Sequence, residues 1–288
     1  MNILNDIKMQ YKAGGIAQRL IYWNVGCFIA AIILFYDFQS QNFLYPSWVA
    51  LSSDVSNFLI FPWTFLSYSF FHDGFFHLFF NMIILNFASQ LFLTFFTQKQ
   101  LLGVYILSAI FAGLVFVLSY FIMGYDALIV GASAAIMAIL VAVTAYQPLM
   151  NIRMFLVGNV KLWHITGVII LLDLLQFRAG NTGGHISHLA GALFGYLYIV
   201  LLKNGIDLTV GVSKTIDFFT NLFRKSPSTP FKKVHKNYKA PKEAKTTSKI
   251  ITKDRNQQQI DAILDKISQS GYDSLSQDEK EFLFKTGK

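Results

Sequence analysis

The chain has 288 residues, of which 54% are hydrophobic and only 14% are charged, and its formal net charge is +8. Soluble domains carry roughly 25% charged residues, so this composition excludes an ordinary soluble protein and indicates one that is embedded in a lipid bilayer. The positive charge is concentrated after residue 203, which favours contact with anionic lipid headgroups, so no nucleic-acid partner is expected.

Six apolar segments follow one another along the chain, each near the roughly 20 residues that a helix needs to span the hydrocarbon core. They cover residues 19–36, 74–96, 101–123, 131–148, 160–177 and 185–202. The fourth and sixth segments are short and rich in small residues, which suits close contact with other helices better than contact with lipid. The predicted fold class is therefore an all-α membrane protein with six transmembrane helices.

The distribution of Lys and Arg predicts that both termini lie in the cytoplasm. Basic residues precede the first segment, follow the second and the fourth, and are abundant in the tail, whereas the alternate loops have almost none. The loop at 37–73 is long and rich in aromatic residues, so we expect short amphipathic helices in the outer interface there.

The chain is predicted to have four parts. They are a cytoplasmic N-terminal segment at 1–18, the six-helix membrane domain at 19–203, a basic juxtamembrane segment and linker at 204–250, and a small two-helix C-terminal unit at 251–288. An apolar stripe within 206–224 predicts an interfacial helix. In the last part, Gly271 ends one helix and Ser276 opens a capping box for the next, so the cytoplasmic tail is expected to end in a small helical hairpin.

A serine opens the fourth segment, within Gly131-Ala-Ser133. Polar side chains at membrane depth are costly, which makes them candidates for function. A serine in a membrane helix ordinarily hydrogen-bonds to the carbonyl four residues earlier, and Gly-x-Ser alone is a weak motif. Ser133, however, lies in the first helical turn, where backbone N–H groups lack intrahelical partners and could stabilise an oxyanion.

Two histidines, His185 and His188, open the sixth segment ahead of Gly191 and Gly195. The two glycines are four residues apart and form a face that allows close approach of another helix. If this face packs on the small residues of the fourth segment, His188 meets Ser133 at one depth. A plain interhelical hydrogen bond is the alternative role for His188, and His185 is expected one turn outward, at the mouth of a cavity.

The entry to the second segment carries His72, His77 and Asn81. His77 and Asn81 are four residues apart, so they share one helix face. Both side chains can donate hydrogen bonds and could stabilise an oxyanion together with the backbone of Ser133. The alternative is a polar pair that joins two helices.

Acidic residues are scarce near these histidines. A metal site formed by His72, His77 and His188 is disfavoured, because no Asp or Glu is well placed beside them and no His-Glu-x-x-His helix occurs. No metal or other cofactor is therefore expected. Asp173, within the fifth segment, needs a partner that the sequence does not identify. An interhelical hydrogen bond or a position near the outer surface is favoured over a role as a third catalytic group.

This pattern resembles the rhomboid family of intramembrane serine proteases over about residues 19–202. The resemblance rests on Pro62-Trp63, His72, His77-x-x-x-Asn81, Gly131-x-Ser133 and His188-x-x-Gly191-x-x-x-Gly195, in that order. It implies a rhomboid-like six-helix bundle with a water-filled cavity, a catalytic dyad of Ser133 and His188 without an acid, and an oxyanion hole formed by His77, Asn81 and the Ser133 N–H. Met137 stands where the family often has an aromatic residue stacked on the histidine, a role that its thioether could partly fill.

The resemblance also implies that the substrates are transmembrane proteins with helix-destabilising residues near the cut. An intact helix in lipid hides its carbonyl groups, so local unwinding must precede attack. We expect an integral, multi-pass protein of a bacterial inner membrane. A catalytically inactive rhomboid-like protein that binds membrane helices is the alternative, whereas a transporter is disfavoured because the sequence shows no internal repeat. The oligomeric state is left open.

Overall fold

A computed structural model describes residues 3–154, 158–177, 181–222 and 249–286. The chain divides into two compact units, Met1–Lys225 and Ser226–Lys288. The described helices of the first unit are α1 Ile3–Ala13, α2 Ile16–Phe35, α3 Val55–Ile60, α4 Thr64–Ser67, α5 Phe75–Leu93, α6 Gln98–Met123, α7 Ser133–Tyr146, α8 Leu162–Gln176, α9 Thr182–Lys203 and α10 Thr209–Leu222.

Short antiparallel strand pairs and one 3₁₀ turn connect these helices. The strands are β1 Tyr36–Asp37 with β2 Asn42–Phe43, β3 Leu51–Ser52 with β4 Leu128–Ile129, and β5 Asn151–Met154 with β6 Gly158–Lys161, and the 3₁₀ turn covers Tyr68–Phe70. The loop predicted to hold short helices contains α3 and α4, but it also contributes β2 and β3, which are not among the predicted elements.

The six predicted apolar segments are confirmed as α2, α5, α6, α7, α8 and α9. Among the described helices, α2, α5, α6 and α9 are long and apolar enough to cross a membrane, and α7 and α8 are apolar but shorter. The 14 residues of α7 extend only about 21 Å. A helix this short is stable in the protein because every residue from Ala134 to Val143 is buried. The all-α membrane fold is thus confirmed, with α7 wrapped by its neighbours as predicted.

The contact between α7 and α9 depends on two glycines. A Cβ atom added at Gly191 would overlap the carbonyl oxygen of Ala134, and one added at Gly195 would overlap that of Ala138. The backbones of the two helices therefore touch, as small residues permit at membrane helix interfaces. This confirms the predicted packing of the glycine face on the small face of α7, and it fixes the relative depth of the two helix beginnings.

The loop before α5 is tied to the rest of the bundle by tyrosine and backbone hydrogen bonds. The Tyr68 hydroxyl donates to the carbonyl of Ala109 in α6 at 2.9 Å. The Gly131 N–H, in turn, donates to the Tyr68 carbonyl at 2.9 Å. Pairing of β3 with β4 holds the same region from the other side. The backbone that leads into α7 is consequently fixed before Ser133 is reached.

The second unit consists of α11 Lys249–Ser270, a 3₁₀ turn at Tyr272–Ser274 and α12 Gln277–Thr286. Gly271 follows α11 with a φ of 78°, a left-handed conformation that favours glycine. The Ser276 N–H donates to the Glu279 carboxylate at 2.8 Å, and the Glu279 N–H donates to the Ser276 hydroxyl at 3.3 Å. The predicted capping box is therefore formed. Nearly all of the predicted linker, at 225–250, lies outside the described residues.

Candidate active site

Ser133 and His188 face each other where α7 and α9 begin. The Oγ atom of Ser133 and the Nε2 atom of His188 are 2.6 Å apart, within hydrogen-bond range. Ser133 is the first residue of α7, and His188 lies in the second turn of α9. The contact follows from the Gly191 packing, because that close approach sets both side chains at one depth. The structure thus brings together the two residues that the sequence selected as nucleophile and base.

An acid accompanies this pair. The Oδ1 atom of Asp173, near the end of α8, lies 2.8 Å from Nδ1 of His188 and 2.7 Å from Nδ1 of His185. The expectation that no acid lies beside His188 is therefore wrong, whereas the interhelical hydrogen bond favoured for Asp173 is confirmed, with the two histidines of α9 as its partners. The partners of Asp173 cannot be identified from the sequence, because the distance of Asp173 from α9 depends on how α8 packs. His185 is not simply at a cavity mouth, since its ring points to the same carboxylate.

His77 is held in a defined tautomer beside the serine. Its Nδ1 atom accepts a hydrogen bond from the Asp73 N–H at 3.3 Å, so the ring proton is on Nε2. Gly131 has a φ of 141°, and a Cβ atom placed there would lie 3.1 Å from His77 Nε2 and 3.5 Å from Ser133 Oγ. Glycine at this position therefore lets the N–H edge of His77 approach Ser133.

Asn81 lies one turn further along α5 and lines the same cavity as Ser133. Its side-chain amide donates to the His77 carbonyl at 2.8 Å. An amide group carries two hydrogens, so one remains available for a ligand. The Ser133 N–H is also free of intrahelical bonds, because it belongs to the first turn of α7. Ser133 therefore shares one cavity with Asn81 and another with His77, and both side chains are candidate donors beside its own N–H.

His72 is fully buried in the loop before α5, with its ring centroid 5.1 Å from that of His77. Burial, reinforced by the neighbouring His77, lowers the pKa of His72 to about 3. His72 is therefore neutral at pH 7. Its ring packs edge-to-face against that of His77, which restrains the orientation of the His77 ring.

Two cavities meet at Ser133 and His188. One, of about 200 Å³, is mostly apolar and lies among α5, α7, α8 and α9, with Met137 in its wall. The other, of about 500 Å³, opens among the helix ends and has Asp73, His77 and Asn181 in its lining. Ser133 and His188 line both cavities. The pair is therefore accessible from an apolar side and from a polar side.

Asp173, His185 and His188 are also the group of described side chains that could hold a metal ion, with donor atoms within 4.8 Å of one another. Two imidazoles and a carboxylate suit zinc. This is a different set from His72, His77 and His188, the alternative considered from the sequence. Both imidazoles lie within hydrogen-bond distance of Oδ1 of Asp173, so hydrogen bonds alone account for the clustering of the three side chains.

Two family models match the chain. The Rhomboid domain matches residues 61–205, half of the chain, and this range includes every candidate residue described above. A family of unknown function, DUF6576, matches residues 251–285, which are almost the whole of α11 and α12. No curated protein matches the chain.

Proposed function

We propose that this chain, which belongs to the rhomboid family, is a serine endopeptidase that cleaves transmembrane protein substrates. The family includes inactive members as well as proteases, so the proposal depends on the residues of the site. The observation that supports it most directly is the 2.6 Å distance between Ser133 Oγ and His188 Nε2. An inactive relative that only binds membrane helices would need neither side chain, and it would not need the two side chains to be in contact.

The arrangement supports acyl transfer in two steps. Ser133 Oγ attacks the scissile carbonyl carbon and gives its proton to His188 Nε2, while the carbonyl oxygen becomes an oxyanion. As the C–N bond breaks, His188 passes that proton to the departing amine and an acyl-enzyme remains. Water then attacks the ester, again losing a proton to His188, and the acid product leaves as the proton returns to Ser133.

The oxyanion would be stabilised by donors that are fixed before the substrate arrives. These are the Nε2–H of His77, the second amide hydrogen of Asn81 and the backbone N–H of Ser133. Preorganised donors need little rearrangement when charge develops, which is why they lower the barrier.

The two cavities support a transmembrane substrate. The apolar cavity suits a segment that arrives from lipid, and the polar cavity suits the water that the second step consumes. An unwound segment could present its carbonyl where the two meet. We further propose that this junction faces the outer side of a bacterial inner membrane, with both termini in the cytoplasm, because of the distribution of Lys and Arg.

Replacing Asn81 with alanine should lower kcat by about 100-fold and change KM little. The amide hydrogen would act on the oxyanion, which exists only as the transition state forms, so ground-state binding is nearly unaffected. The measurement is steady-state cleavage of a model transmembrane substrate in liposomes. Ser89→Ala is the matched control, because Ser89 is buried on the same helix but away from the cavity. Equal kcat for wild type and Asn81→Ala would exclude Asn81 from the oxyanion hole.

A fluorophosphonate probe tests the proposed function directly, since it reacts covalently with an activated serine. We expect the purified wild-type chain to be labelled in detergent and Ser133→Ala to be unlabelled. Absence of labelling in wild type, or equal labelling of both proteins, would favour the inactive helix-binding relative.

A further inference from the structure

Asp173 and His185 form a partly buried network on the far side of His188 from Ser133. The Nε2 atom of His188 faces the serine, and its Nδ1 atom faces Oδ1 of Asp173 at 2.8 Å. The same oxygen lies 2.7 Å from Nδ1 of His185. The exposed fractions of the side chains are 9% for Asp173, 13% for His185 and 22% for His188. The three residues come from the end of α8 and the first two turns of α9.

We infer that Asp173 is a positioning residue for the base His188, and that His185 holds Asp173 in place. The inference rests on the proposed function, which supplies the reaction, but it adds a component that the resemblance to the family did not imply. The catalytic group that touches substrate remains Ser133, and Asp173 acts only through His188.

The chemistry requires one tautomer of His188. To accept the Ser133 proton, Nε2 must carry a lone pair, so the ring proton must be on Nδ1. An ionised Asp173 accepts a hydrogen bond and donates none, so it selects that tautomer. When His188 becomes an imidazolium, the adjacent carboxylate also stabilises the positive charge. No proton passes to Asp173 in this scheme.

His185 has a separate, dependent role. A carboxylate oxygen has two lone pairs, and Oδ1 of Asp173 uses them for two imidazole N–H groups. The second bond restrains the Asp173 side chain without touching Ser133 or its oxyanion donors. His185 also lies one helical turn from His188 on α9, so its bond orients the carboxylate toward that helix.

The competing interpretation is that Asp173 is only a polar link between α8 and α9. Such links are common between membrane helices and contribute to packing. A packing role predicts lower stability with kcat preserved in the folded fraction. A positioning role predicts a lower kcat with stability preserved, so measuring both quantities distinguishes the two roles.

Asp173→Asn should lower kcat by about 100-fold or more while KM and the melting temperature stay near wild type. Asparagine has nearly the same shape but no charge. If the amide nitrogen of the introduced asparagine faced His188, it would donate a hydrogen bond to Nδ1 and favour the wrong tautomer. If the amide oxygen faced His188 instead, the tautomer would be correct, but the imidazolium would still lack a negative charge beside it. The measurement is kcat and KM on a model transmembrane substrate, with thermal unfolding of the same preparations.

Thr166→Val is the matched control. Thr166 is buried on α8, two turns before Asp173, and its hydroxyl lies 2.7 Å from that of Thr144 in α7. Thr144 retains its bond to the Leu140 carbonyl when Thr166 changes. The variant thus removes a buried interhelical contact on the same helix without touching His188, and its kcat should stay within about threefold of wild type.

A double-mutant cycle tests the dependence of His185 on Asp173. His185→Ala should lower kcat by about tenfold, and Asp173→Asn combined with His185→Ala should be no slower than Asp173→Asn alone. If the two losses multiply, His185 does not act through Asp173 and that part of the inference is wrong.

A spectroscopic measurement tests the inference even if Asp173→Asn and His185→Ala fail to fold, because it leaves both residues unchanged. In ¹⁵N-histidine-labelled Ser133→Ala protein, we expect the proton of His188 on Nδ1, with Nε2 unprotonated. His188 protonated on Nε2 instead would overturn the inference without reference to activity.

The outcomes separate the two proposals. If wild type cleaves substrate in a Ser133-dependent way and Asp173→Asn keeps the wild-type kcat, the role of Asp173 is wrong and the protease assignment stands. If wild type shows no Ser133-dependent cleavage or labelling, both fail. Loss of wild-type activity on treatment with a chelator would also overturn the inference, because it would mean that the three side chains serve as metal ligands.

Discussion

Ser133→Ala should cleave a model transmembrane substrate at least about 10³-fold more slowly than wild type, and His188→Ala should lose a similar amount. Without the hydroxyl there is no nucleophile, and without the imidazole there is no acceptor for its proton. Because the two act as one unit, the double variant should be hardly slower than either single variant. Cleavage in liposomes, followed over hours by gel analysis of the products, measures all three.

Matched controls for these variants are available in the chain. Ser187 is buried beside His188, and its hydroxyl bonds to the Gly183 carbonyl at 2.8 Å. This is the ordinary role of a serine in a membrane helix, so Ser187→Ala should keep its activity. His164, exposed at the start of α8, provides the equivalent control in His164→Ala. Cleavage by Ser133→Ala at the wild-type rate would show that Ser133 is not the nucleophile.

Gly191→Ala should impair both folding and catalysis, although the change adds one methyl group. Its Cβ atom would overlap the carbonyl oxygen of Ala134, and backbone cannot rotate away as a side chain can. We expect a loss of about 1–3 kcal/mol in stability, typical of overpacking. Moving α9 outward would also lengthen the contact between Ser133 and His188, and a displacement near 1 Å can cost about 100-fold in rate.

The melting temperature in detergent and kcat on the folded fraction measure the two effects of Gly191→Ala. Gly195→Ala, one turn deeper against Ala138, should reduce stability comparably and catalysis less, because it is further from Ser133. Gly167→Ala is the control, since a Cβ atom at Gly167 meets nothing within 4 Å. Equal stability of Gly191→Ala and Gly167→Ala would contradict direct contact between the α7 and α9 backbones.

The helices, including the two in the tail, and the pairing of Ser133 with His188 could be predicted from the sequence. Apolar length marks a spanning helix, and spacing along a helix fixes which residues share a face, as with His77 and Asn81 or His188 and Gly191. These are local properties, set by the 3.6-residue turn and by side-chain size. The tautomer of His77 was not predictable, because it depends on the backbone N–H of Asp73 in the loop before α5.

Ser133 and His188 illustrate what the sequence by itself determined. Ser133 begins a helix that has a face of small residues, and His188 lies at the same depth on a helix that has a face of glycines. Close packing of those two faces follows from their shape, so the pairing was predictable. The place of Asp173 was decided only by the tertiary structure. Its distance to His188 depends on the packing of α8 against α9, and nothing in the local sequence of either helix specifies that packing. The position of Asp173 beside His188 is therefore a property of the assembled bundle.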